Sequence, residues 1–148
     1  VAVGVVVVVG AGLWAICVTC VADGLTDVCR TLAAHFEGES TGPTYVVFIG
    51  SDDPGTGESW CSDCVIADPL IRQGVRAVPG AVLIECPVGD RAVYKNNPDH
   101  PYRVHPQIAL TAIPTLIAWT ADGPGARLVE EECASEEAIA ELVASITA

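Results

Sequence analysis

Five consecutive residues, Trp60-Cys61-Ser62-Asp63-Cys64, hold the chemistry that is easiest to specify in this sequence. Two Cys at this spacing close a disulfide with little backbone movement. They follow an apolar run and a Gly- and Pro-containing loop, and they open a segment of helical spacing. At a helix N-terminus the free backbone N–H groups and the dipole stabilise a thiolate. Cys61 then reads as the nucleophile that attacks a disulfide, and Cys64, one turn on, as the thiol that resolves the mixed disulfide. Trp60, Ser62 and Asp63 are the supporting residues around the pair. The competing reading is half of a zinc site. Zinc needs four ligands, and no second Cys or His pair follows at finger-like spacing, so no metal is expected.

A second candidate element is Ala112-Ile113-Pro114-Thr115. In CxxC oxidoreductases of this layout a cis proline here lies against the two sulfurs, and it would leave the Ile113 N–H and C=O free to pair with an extended substrate. An ordinary trans proline at a strand start is the plain alternative.

The elements that must position these groups follow from periodicity. Val5–Val9 is a run of β-branched residues fit for a short buried strand. Leu25, Val28, Cys29, Leu32 and Phe36 recur at helical spacing, with Thr26 as N-cap. Tyr45–Ile49, Ala81–Cys86 and Thr115–Trp119 are buried strands, and Asp52–Gly57 is a loop. A helix over Cys61–Arg76 should carry Val65, Ile66, Leu70, Ile71 and Val75 inward, with a kink at Pro69. Residues 87–111 form a Pro-rich connection with room for one short helix. Asp122–Gly125 is a turn, and Arg127–Glu131 returns antiparallel. Ser135 caps a last helix whose core face is Ile139, Leu142, Val143 and Ile146. This alternation predicts an α/β fold with helices on both faces of the sheet.

Trp-Cys-x-x-Cys, Pro69 five residues after the second Cys, and Ile-Pro-Thr before a strand together resemble the thioredoxin superfamily. Within it, Ser59–Cys64 with Asp63, Cys86-Pro87-Val88-Gly89-Asp90, Tyr94-Lys95, Asn97–Arg103 and Leu128–Cys133 resemble the family of small thioredoxin-related proteins with a Trp-Cys-Pro-Asp-Cys site. The likeness spans residues from about 45 to 146. It implies a thioredoxin-like fold with a central mixed sheet of about five strands. It also implies a disulfide reductase with no bound cofactor, re-reduced by thioredoxin reductase with NADPH as the electron source, acting on disulfide-containing proteins or small disulfides. The alternative is a redox-gated protein-binding module with little turnover. Ser62 stands where that family has Pro, which frees the turn and adds a hydroxyl able to bond a thiolate. Asp63 repels a thiolate beside it and opposes the dipole, so a reducing potential is expected, nearer thioredoxin's roughly −270 mV than a strong oxidant's roughly −120 mV.

Composition bounds the rest. One domain's length, 148 residues of which 51% are hydrophobic, excludes a disordered linker. Nineteen acidic residues against seven basic ones argue against nucleic acid or an anionic membrane surface as partner. Seven Cys, an odd number at uneven spacing, read as reactive or buried thiols rather than a secreted framework. Cys17-Val18-Thr19-Cys20, Cys29, Cys86 and Cys133 are expected to be buried or partly exposed and inert, and His35, His100 and His105 to lie at the surface. Residues 1–22 carry no charge and are long enough for a membrane anchor, but lack flanking basic residues. The expectation is an apolar N-terminal segment over residues 1–24, whose family first strand is Val5–Val9, ahead of a thioredoxin-like domain over residues 25–148. The protein is expected to be a cytoplasmic monomer, with anchoring through residues 1–22 as the alternative. The lack of any Met, even at position 1, suggests a fragment, a processed form or an incomplete gene model.

Overall fold

A computed structural model describes residues 42–146 in full, together with the backbone of residues 4–6, 9–10, 13–14 and 16–19. The expected helix over residues 26–36, Cys20, Cys29 and His35 lie outside the described residues. In chain order the N-terminal strands are β1 (Gly4–Val6), β2 (Val9–Gly10), β3 (Leu13–Trp14) and β4 (Ile16–Thr19). There follow β5 (Thr44–Ile49), α1 (Ser62–Arg76), β6 (Val82–Pro87), α2 (Arg91–Tyr94) and α3 (Pro101–Val104). β7 (Thr115–Thr120), β8 (Gly123–Val129), a 3-10 turn at Glu130–Ala134 and α4 (Glu136–Ala144) complete the fold.

Four strands from residues 42–146 form a mixed sheet. β5 runs parallel to β6 and antiparallel to β7, and β8 pairs antiparallel with β7. The β5–α1–β6 unit is a crossover between parallel neighbours, and such a connection needs a helix's length of chain. β4 extends the sheet beside β6 in parallel, and β1 pairs antiparallel with β4, giving the order β1-β4-β6-β5-β7-β8. Val5–Val9, expected as the first strand, overlaps β1 and the start of β2, and the strand that pairs parallel with β6 is Ile16–Thr19. A β-branched run marks a strand but not its partner.

Strict alternation builds two cores. Val46 and Phe48, Val82 and Ile84, and Ile117 and Trp119 face one side with Tyr94, Tyr102 and Ile108. Tyr45 and Val47, Leu83, and Leu116 and Ala118 face the other with Ala67, Ile71, Val75, Ile139 and Leu142. A sheet buried on both faces needs strands that are apolar throughout, which is why Tyr45–Ile49 reads as a continuous run. Tyr45 reaches through to donate from its hydroxyl to the Val143 carbonyl at 2.8 Å, tying β5 to α4, and burial pushes that hydroxyl up to about 12.

Several expectations need correction. Val65 and Ile66 are exposed, because the buried stripe of α1 runs through Cys64, Ala67, Ile71 and Val75. Counting from Cys64 gives the inward face. Pro69 lies inside α1, as expected, and α1 runs on to Arg76. Pro69 is exposed, as is Val65 four residues before it, so water can reach the carbonyl that the proline leaves without a donor. The last strand is Gly123–Val129, reached by a two-residue turn at Ala121–Asp122, and it stops where Glu130 takes φ 54. Residues 87–111 hold two short helices rather than one. His100 is buried between them, not at the surface. Its Nε2 lies 2.8 Å from the Val88 carbonyl, and its Nδ1 accepts from the Tyr102 N–H. His105 is half-buried. Among the described residues no helix is long and apolar enough to cross a membrane.

Candidate active site

The Cys pair stands at the start of α1, as the spacing required. Cys61 is the N-cap itself, in an extended conformation, and Cys64 is three residues inside. The two sulfurs form a disulfide with Cα atoms 5.2 Å apart. The Cys61 sulfur also takes the place of a capping oxygen and accepts the Cys64 N–H at 3.2 Å. Cys61 is 8% exposed and Cys64 2%, so an incoming group meets Cys61 first. Ser62 and Asp63 are exposed in the first turn.

The approach to the pair is held by a small polar network. The Ser59 hydroxyl donates to the Gly50 carbonyl at 2.7 Å and accepts from the Cys61 N–H at 3.2 Å. Trp60 is half-buried, its indole N–H donating to the Gly89 carbonyl at 2.9 Å. The Ser51 hydroxyl in turn accepts from the Gly89 N–H at 3.0 Å. Gly89 makes these bonds at φ +96, where a Cβ would also come within 3.1 Å of the Val93 side chain. This turn therefore requires glycine.

A cleft of about 330 Å³ opens over Cys61. Trp60, Ser62 and Asp63 form one side, and Thr111, Ala112 and Ile113 another. The Ile113–Pro114 peptide is cis. Ile113 is buried in the same core cluster as Cys61 and Cys64. The Glu130 N–H donates to the Pro114 carbonyl at 2.8 Å. Thus the two elements singled out from the sequence meet at one cleft.

The third side was not anticipated. It consists of Arg91, Tyr94 and Lys95 on and beside α2 and Arg103 on α3, with Glu130 nearby. Arg103 is fixed by donation to the Thr111 carbonyl at 2.9 Å and by stacking 4.1 Å over the Tyr94 ring. Burial raises the Tyr94 hydroxyl, Arg103 opposes that shift and Glu130 adds to it. The available signal was positional, since three of the seven Lys and Arg residues of an acidic chain fall within residues 91–103.

Cys86 and Cys133 are free and buried. The Cys133 thiol donates weakly toward the Leu128 and Pro114 carbonyls at 3.4 and 3.6 Å, and burial pushes it up to about 12. Cys17 of the second CxxC lies in β4, a strand, whereas Cys61 caps a helix. Among the described residues no group of three His, Cys, Asp or Glu side chains is arranged to hold a metal ion.

The model of the thioredoxin domain-containing protein 17-like thioredoxin domain matches residues 22–145. The thioredoxin-like protein Clot of Arabidopsis thaliana is 38% identical over 104 residues, covering 70% of this chain and 77% of the relative. An acireductone dioxygenase of Leishmania infantum is 42% identical over 81 residues, covering 51% of this chain but only 23% of that protein. A disulphide isomerase from Xylella fastidiosa Temecula1 has a similar fold, with TM-score 0.52 and 24% identity, covering 86% of this chain and 93% of that one. The cysteine pair at the head of α1 and the match over most of the chain place it in one family: this protein belongs to the thioredoxin domain-containing protein 17-like branch of the thioredoxin superfamily.

Proposed function

We propose that this protein is a disulfide reductase acting on protein or small-molecule disulfides through Cys61 and Cys64. The reading rests on one observation: Cys61 caps the helix that holds Cys64, directly beneath an open cleft. In the reduced state the Cys61 thiolate sits where the N–H of Cys64 and the helix dipole favour negative charge. It attacks one substrate sulfur, forms a mixed disulfide and expels the other as a thiol. Cys64 then attacks the Cys61 sulfur and releases the second thiol. The protein gains a disulfide as the substrate disulfide becomes two thiols, a balanced two-electron exchange. Trp60 and Ile113 position the substrate beside Cys61, while Ser62 and Asp63 tune the thiolate. Thioredoxin reductase, drawing on NADPH, restores the dithiol, and the cytoplasm is the compartment that suits this traffic.

The test is a coupled assay with NADPH, thioredoxin reductase and cystine, following loss of NADPH. Turnover that depends on the protein supports the reading. Oxidation of the dithiol by cystine without NADPH consumption would replace the electron donor but keep the reductase. Absence of both would leave a binding module gated by the Cys61–Cys64 pair.

A further inference from the structure

We propose that the cleft selects acidic disulfides, those whose groups flanking the sulfurs carry carboxylates. Arg91, Lys95 and Arg103 form the selecting wall. This rests on the reductase reading and specifies its substrate class.

The chain as a whole carries 19 acidic residues against seven basic ones, a net charge of −12. The cleft over Cys61 reverses that balance, with three cations against two carboxylates, Asp63 and Glu130. The cations are grouped on one side. Arg91 opens α2, Lys95 follows directly after its last residue, and Arg103 lies on α3. The carboxylates stand elsewhere, Asp63 on the first turn of α1 and Glu130 after β8. Among the described residues none of the three cations has a carboxylate within ion-pair distance, whereas Arg72 is paired with both Asp68 and Glu85. Arg91 and Lys95 are exposed. Arg103 is held by a backbone carbonyl and an aromatic ring, neither of which neutralises it. A cation cluster with no ion-paired carboxylate among the described residues, set in an acidic molecule, offers a favourable berth for a carboxylate near the thiolate. The net charge of −12 opposes the approach of an acidic ligand to the molecule as a whole.

The same balanced exchange applies to any such substrate: the dithiol is oxidised to the Cys61–Cys64 disulfide, and the acidic disulfide is reduced to two acidic thiols. Small dicarboxylic disulfides and acidic flanks of protein disulfides share this chemistry.

The experiment uses the full chain, pre-reduced and freed of reductant, so that no reductase is needed. Oxidation of the dithiol is followed by tryptophan fluorescence with three small disulfides: dithiodipropionate (a dianion), hydroxyethyl disulfide (neutral) and cystamine (a dication). Intrinsic reactivity differs among them, so the readout is the dianion-to-dication rate ratio in each variant. We expect that ratio to fall about fivefold or more in R91A/K95A, and the difference to shrink toward unity in 0.5 M salt. R91K/K95R should keep the wild-type ratio, and R76A, which removes an exposed cation outside the cleft, should leave it unchanged. An unchanged ratio in R91A/K95A, an equal fall in R76A, or a loss in R91K/K95R that matches the alanine pair overturns the selectivity while the reductase stands. Failure of all three compounds to oxidise the dithiol overturns the reductase reading and this inference with it. A cystine-bridged peptide with Glu flanks, run against its Lys counterpart, separates the sources. A Glu preference assigns the wall to protein disulfides; no preference there, beside the small-molecule effect, assigns it to small acids.

Discussion

Cys61 and Cys133 carry the same thiol, yet the fold prepares them for opposite fates. Cys61 caps a helix, accepts the Cys64 N–H and stands under an open cleft. Cys133 has no exposed surface, lies behind the Pro114 carbonyl, and its thiol is pushed up to about 12 by burial. On the proposed reading, reactivity comes from placement at a helix start and from access, rather than from the residue type. The second CxxC makes the same point from the sequence side. Cys17 lies within a strand paired with β6 rather than at the cap of a helix.

The contrast is broken most severely at Cys61. Cys61→Ser should reduce disulfide reduction to the rate without protein, because it removes the attacking thiolate. Initial-rate assays with cystine check this. Substantial residual turnover would mean that another thiol attacks.

A smaller effect should follow from loosening the approach to the pair while leaving both sulfurs in place. Gly89→Ala forces a side chain into φ +96 and against Val93, and so disturbs the carbonyl that holds Trp60. It should cost about 1–2 kcal/mol and lower Tm by several degrees. Calorimetry of the purified variant reads this directly, and an unchanged Tm would show that the turn adapts.

The smallest expected effect lies at Cys133. Cys133→Ala should leave turnover unchanged and cost about 1 kcal/mol for the lost sulfur. It should also alter the alkaline limb of stability. The folded thiol is raised above its ordinary value of 9.0 to about 12. Its burial therefore contributes fully below about pH 9, and that contribution is lost as pH rises toward 12. Urea denaturation across this range should show a shallower decline for the alanine variant than for the wild type. Parallel declines would mean that Cys133 does not titrate with unfolding.

Much of this layout is legible in the residues. The strands at 44–49, 82–87 and 115–120 fall within a residue or two of the apolar runs, because strands buried on both faces admit few polar residues. Ser135 caps α4 as its position suggests, accepting the Ala138 N–H at 3.2 Å. Trp60, Cys61 and Ile113 converge on one cleft, with Cys64 buried beneath Cys61. What stays hidden depends on contacts distant in sequence. Ile66 is as apolar as Ile71, and only the packing of α1 on the sheet turns one outward and the other inward. His100 is buried because the Val88 carbonyl and the Tyr102 N–H satisfy both ring nitrogens, which no local pattern announces. The basic wall required knowing that α2 and α3 fold over Cys61.

The central claim is that Cys61 attacks and Cys64 resolves. Cys64→Ser tests it most directly when the reduced variant is mixed with one equivalent of hydroxyethyl disulfide and analysed by intact mass and peptide mapping. The account predicts a persistent adduct of one mercaptoethanol per chain, joined to Cys61 and released by dithiothreitol. An adduct on Cys17, Cys86 or Cys133 instead, or no adduct while Cys61 remains free and alkylatable near pH 7, would contradict it.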